Sequence, residues 1–113
     1  MLGSVVPTVN VAKDFTRFPS GRYKRNGETS GEAFRERFLE PTIARGESLV
    51  VELDGTVGYG SSFLEEAFGG LVRKLGVPAE SILEHLRVVS SDSDLVEEVY
   101  TYVREAGRSL ARG

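Results

Sequence analysis

The sequence predicts an α/β fold, a small mixed sheet packed with about three to four helices. Three observations predict it. Residues 8–15, 49–53 and 86–89 are short and rich in β-branched or apolar side chains, as strands are. Residues 63–75 and 95–106 instead carry apolar positions three and four apart, which line one face of a helix. The two kinds of segment alternate along the chain, the order that builds layered α/β folds. At 113 residues the chain has the length of one domain, read here as 1–113 with its core at about 8–106.

Taken in order, Thr8 to Phe15 places Val9, Val11 and Lys13 on one face and reads as the first strand. Pro19-Ser20-Gly21 and Asn26-Gly27 are turn signals, and Arg22 to Lys24 between them fits a short edge strand. Thr29 with Glu32 has capping-box spacing, with Ser30 an alternative cap, and Ala33, Phe34, Phe38 and Leu39 continue as a helical stripe. Pro41, without an amide proton, predicts that this helix ends or kinks there. Leu49, Val50, Val51 and Leu53, interrupted only by Glu52, read as a central strand covered on both faces.

The turn Asp54 to Gly60 packs three glycines into seven residues, which signals positive φ angles or a close approach by another backbone. A helix follows, with Phe63, Leu64, Ala67, Phe68, Leu71, Val72 and Leu75 on one side. Ser62 and Glu65 supply its capping box, and Gly69-Gly70 implies close packing on the sheet. Gly76 and Pro78 end it. Pro78 to His85 reads as a short helix and Leu86 to Val89 as a strand parallel to the Leu49 strand. Ser91 with Asp94 caps the last helix, whose buried face is Leu95, Val96, Val99, Tyr100, Val103 and Ala106, and Arg108 to Gly113 is expected to fray.

Composition narrows the chemistry. Without cysteine there is no disulfide, no thiolate nucleophile and no cysteine metal site, and one histidine makes no histidine cluster. No metal and no cofactor are expected. The N-terminus lacks the basic and apolar regions of a leader, and no apolar run is long enough to span a membrane, so a cytoplasmic protein without membrane contact is expected. Residues 1–27 carry five basic groups against Asp14, net +4; the rest carries nine basic against sixteen acidic, net −7. An acidic body with one basic loop argues against nucleic-acid binding and permits one local anion contact.

That loop supplies the first candidate site, since Arg22, Lys24 and Arg25 flank Tyr23 and together fit a nucleotide or other anion. The second is the rim Thr56, Val57, Gly58, Tyr59, Gly60, Ser61 and Ser62, where the amide protons of a helix start favour negative charge. Ser62 reads mainly as a cap. Ser61 beside it is the candidate for phosphorylation or partner contact, a phosphate adding about −1.5 to −2 charges. Asp54, at the carboxyl end of the central strand, is a candidate polar site, with capping of its own turn as the simpler role. Glu65 and Glu66 read as a cap partner and an exposed helix face, and His85 as structural.

An apolar strand, a turn, a Ser-Ser pair and a helix with apolar and glycine positions resemble the STAS domain of bacterial anti-sigma factor antagonists. Those proteins have aspartate before the pair where this chain has Gly60, and a small glycine-rich helix start where it has Phe63 to Glu66. More closely, residues 51–71 (VELDGTVGYGSSFLEEAFGGL), with NVAKDFTRFPSGRY and SGEAFRERFLEP, resemble the STAS-like bacterial domain family of unknown function over nearly 9–106. The resemblance implies a STAS-like sandwich and a regulatory, non-catalytic interaction module. Its partner would be a GHKL-type (histidine-kinase-like) ATPase or an anti-sigma factor, with the phosphorylated serine matching Ser61. The alternative from another class is a nucleotide- or anion-binding domain. Asp54-Gly55-Thr56 is also similar to phosphohydrolases with an aspartyl nucleophile, but their downstream motifs have no room in this chain, and no enzyme is expected. An exposed edge strand would allow a homodimer.

Overall fold

The structure, a computed structural model, describes residues 5–112. Strands β1 (Thr8–Asn10), β2 (Leu49–Glu52) and β3 (Leu86–Val89) form one sheet in that order, each parallel to the next. Thr8, Val50 and Arg87 share a row across the sheet, and Asn10, Glu52 and Val89 share another. Five helices accompany it: α1 (Val11–Phe15), α2 (31–44), α3 (61–75), α4 (Ala79–Leu83) and α5 (Ser93–Ala111). The α/β class and the parallel Leu49 and Leu86 strands are as expected from sequence.

The sheet is all-parallel and not mixed, because the expected edge strand at Arg22 to Lys24 does not form. Lys24–Asn26 is a single 3₁₀ turn, and the backbone around it is bonded to the start of α2: Gly31 N–H reaches Gly21 O, Glu32 N–H reaches Arg22 O, and Lys24 N–H reaches Glu32 Oε1. Nothing is left for a ladder. The first strand stops at Asn10, whose side chain accepts from Lys13 N–H at 2.9 Å and starts α1. Val11 and Phe15 then point inward as helical neighbours, Phe15 packing on Phe34 and Phe38, which imitates the alternation of a longer strand.

α3 is the centre of the core. Phe63, Leu64, Ala67, Phe68, Leu71 and Val72 are all buried, and they meet Phe34 and Leu39 from α2 and Val99, Val103 and Ala106 from α5. A Cβ at Gly31 would overlap the Phe63 carbonyl, so this glycine sets how closely α2 crosses α3. From the sheet, Leu49, Val51, Leu53, Leu86 and Val88 enter the same core, whereas Val50, Glu52, Arg87 and Val89 do not. Right-handed crossovers place α2 and α3 on one side of the sheet. β2 is therefore covered on one face and not on both, and among the described residues no element lies over the other face.

α1 is itself a widened turn, closed by the Thr16 N–H on Val11 O, and two longer helices contain one each. The N–H of Glu40 bonds to Arg35 O and that of Gly70 to Glu65 O, each reaching back five residues. The first lets α2 run through Pro41 to Ala44 instead of ending or kinking: the loosened turn comes just before a residue with no amide to donate. The second lies at Gly69-Gly70, and the neighbours there are not the sheet. Added Cβ atoms would strike the Glu65 carboxylate at Gly69 and the Arg35 guanidinium at Gly70.

Caps differ in detail from expectation. Ser30 and not Thr29 caps α2, accepting from Ala33 N–H at 3.1 Å. Gly60 precedes α3 with no side-chain cap, so the Ser62–Glu65 box is absent. Asp92, not Ser91, caps α5 through Asp94 N–H and Leu95 N–H. α5 stays helical through Ala111, not fraying from Arg108; Gly113 lies outside the described residues. Gly76, at φ 65° and ψ 30°, ends α3 as expected. On the outer edge of β3, the Tyr100 hydroxyl accepts from Val88 N–H at 2.9 Å, closing that edge with a side chain. No helix among the described residues is long and apolar enough to cross a membrane.

Candidate functional site

The rim between β2 and α3 is shaped by glycines at two positions where φ is positive, Gly55 at 104° and Gly58 at 142°. Gly55 also lies against Ala12 of α1. Between them the loop is tied at both ends. Val57 N–H donates to Arg17 O at 2.9 Å, and the Tyr59 hydroxyl donates to Leu53 O at 2.7 Å. The Tyr59 ring rests on Phe63, 5.9 Å between centroids, and burial pushes its phenol up to about 12. Tyr59 is thus an anchor of the loop.

What the rim exposes is apolar and hydroxylic. Phe18 is 61% exposed and Val57 66%, and the Arg17–Val57 bond holds their segments side by side. Ser61 and Ser62 occupy the first turn of α3, exposed, and neither hydroxyl makes a hydrogen bond among the described residues. Ser62 is not a cap. Phe18 was not distinguished by sequence, because its partner Val57 is 39 residues away and no periodicity links them.

Asp54 serves another purpose than turning its own loop. Its carboxylate accepts from the Ser90 hydroxyl at 2.7 Å and from the Ser91 N–H at 3.0 Å, fastening the end of β2 to the segment that starts α5. Those bonds, the Ser90 hydroxyl foremost, hold its carboxyl below the usual range. Beside it, at the carboxyl ends of all three strands, Asn10, Glu52, Asp54, Val89 and Ser90 line a shallow cleft of about 270 Å³. Another cavity, of about 450 Å³, lies at the other end of α3, between Gly76–Glu80 and the last turns of α5.

The basic loop does not present three free cations. Arg22 is paired with Glu65 at 2.6 Å and lies 3.4 Å from Glu66; Lys24 is paired with Glu36 at 2.6 Å; and Arg25 stacks over Tyr23, 4.9 Å from the ring centre. Glu66 is not an exposed helix face. It is 8% exposed and bonds at 2.6 Å to Arg35, itself 5% exposed and held by Glu40 at 2.8 Å. Arg73 closes the group on Glu65 at 2.7 Å and 3.0 Å. Arg73 foremost, then Arg22, holds the Glu65 carboxyl below the usual carboxylate range. The sequence signal for this network is Glu65, Gly69 and Arg73 at four-residue spacing on α3 with Glu66 and Gly70 beside them, glycines standing where long charged side chains must fit.

Ser61 and Ser62 lie one turn before Glu65 and Glu66, so Arg22 is near the helix start but its charge is already neutralised. His85 lines a separate cavity with Ile43 and Leu75 and no second nitrogen ligand. Among the described residues no group of three or more histidine, aspartate or glutamate side chains is arranged to hold a metal ion.

Comparison with known proteins adds one finding. Residues 30–96 match the family described as a STAS-like domain of unknown function, a span that runs from the cap of α2 into α5 and includes the whole rim from Asp54 to Ser62. No curated protein and no solved structure shows significant similarity to the chain.

Proposed function

The chain belongs to the STAS-like domain family of unknown function, and from that premise we propose that it is a non-catalytic regulatory module that binds a protein partner through the rim ahead of α3. One observation carries the reading: Phe18 and Val57, both mostly exposed, lie on segments joined by the Arg17–Val57 backbone bond, ahead of the first turn of α3. Two large apolar side chains held outward by a tied loop favour a protein surface over water. The partner of this reading is a GHKL-type ATPase or an anti-sigma factor, and Ser61 is its switch. A phosphate on Ser61 would face the amide protons of α3 and change the charge of the contact surface by about −1.5 to −2.

The test is affinity capture of the candidate ATPase or anti-sigma factor with wild-type and variant chains, followed by titration. Phe18→Ala and Val57→Ala are each expected to weaken binding by about tenfold or more, as truncated anchors do. Ser61→Glu is expected to weaken it as well, with Ser61→Ala leaving it unchanged. Equal affinity for all four variants would remove the rim as the contact surface. The nucleotide or anion alternative has weaker support, because Arg22 and Lys24 are occupied by Glu65 and Glu36.

A further inference from the structure

The uncovered face of the sheet is the part of the molecule that the reading above does not use. Parallel sheets normally have both faces covered, since their connections lay helices over them. Here both connections fall on one side, and Thr8, Asn10, Val50, Glu52, Arg87 and Val89 face the other. Val6, two residues before Thr8 and 45% exposed, extends it.

The charges on this face are few and are not paired among the described residues. Neither Glu52 nor Arg87 has an ion-pair partner among the described residues. Glu52 only accepts a long bond from the Asn10 amide, at 3.4 Å. The register makes Val50, Glu52, Arg87 and Val89 the corners of a rectangle about 4.8 Å by 6.7 Å, with the two valines on one diagonal and the two charges on the other.

We infer that this face pairs with the same face of a second copy of the chain. A two-fold axis lying in the interface along the Val50–Val89 diagonal sets each valine over its counterpart and each Glu52 close to the second copy's Arg87. Two reciprocal ion pairs then flank an apolar centre, and the strands of the two sheets cross steeply, as in orthogonal sheet packing. An edge-to-edge dimer through β3 is disfavoured by Tyr100, which occupies the outward backbone of Val88. Three short strands offer a footprint of roughly 14 Å by 13 Å. That is well under the ~800 Å² per partner of stable complexes, so the dimer is weak and assembles at roughly 100 μM or above.

Sedimentation equilibrium from about 10 μM to about 1 mM tests this across the expected dissociation constant. The wild-type chain is expected to pass from monomer to dimer over that range. Glu52→Arg and Arg87→Glu should each weaken the dimer by at least about tenfold, and the double reversal should restore it to within about threefold, because the pair is reciprocal. Val50→Lys, which sets two cations against each other on the axis, should abolish association independently, with thermal melts verifying that each variant folds. A chain that stays monomeric throughout, or a dimer indifferent to the single reversals, overturns the inference.

Discussion

At the scale of single residues, Tyr59 shows how a side chain expected at a contact surface becomes an anchor. Its ring is half-buried on Phe63 and its hydroxyl holds the Leu53 carbonyl, so Tyr59→Phe should cost about 1 kcal/mol in urea unfolding, the usual net worth of such a bond. The pH dependence has a definite sign. Burial raises the phenol from near 10 to about 12, so its contribution is fully present below pH 10 and is lost as pH rises through about 12. Tyr102 is also raised to about 12 and contributes over the same window in both proteins, so the alkaline loss of Tyr59→Phe should be smaller than that of wild type by the share belonging to Tyr59. Asp54 is a similar case: of its two readings from sequence, the cap on its own turn gave way to a fastening on Ser90 and Ser91 from a distant part of the chain. Partners 36 and 37 residues away leave no trace in local pattern.

At the scale of elements, the widened turns and the arginine–glutamate group make the adjacent glycines unequal. At Gly69 an added methyl meets the end of the Glu65 side chain, whose pairs with Arg22 and Arg73 are partly exposed and worth up to about 1 kcal/mol, against about 1 kcal/mol of helix propensity gained over glycine. At Gly70 it meets Arg35, fixed by Glu66 and Glu40 in a buried position. Thermal or chemical unfolding should therefore find Gly69→Ala neutral or stabilising and Gly70→Ala destabilised by about 1–3 kcal/mol. The same sign for both would show that the close packing lies elsewhere. Periodicity found α3 and α5 because their apolar stripes are regular. It missed the passage of α2 through Pro41, because a five-residue hydrogen bond relieves the missing amide and has no sequence signature of its own.

At the scale of the whole molecule, α5 is what completes the core: Val99, Val103 and Ala106 are buried against α3, and Tyr100 closes β3. Burying such side chains is worth about 1.5–3 kcal/mol each for the valines. Their loss is comparable to the total stability of a small domain, about 5–15 kcal/mol. A chain ending at Ser91 should accordingly lose cooperative thermal unfolding, as followed by circular dichroism; a sharp transition at an unchanged midpoint would contradict this. The α/β class, the central strand and the strand–rim–helix order were legible because each depends on neighbours in sequence. The one-sided sheet was not, since Val50 reads as core until the directions of both crossovers are known.

The order of the strands in the sheet is also their order in the chain, and that has a consequence for the chain's making. Each strand after the first emerges from synthesis with a pairing partner already behind it, so no later strand has to be inserted between two earlier ones. The sheet can lengthen edge by edge as the polypeptide appears, with α5 arriving last to seal it.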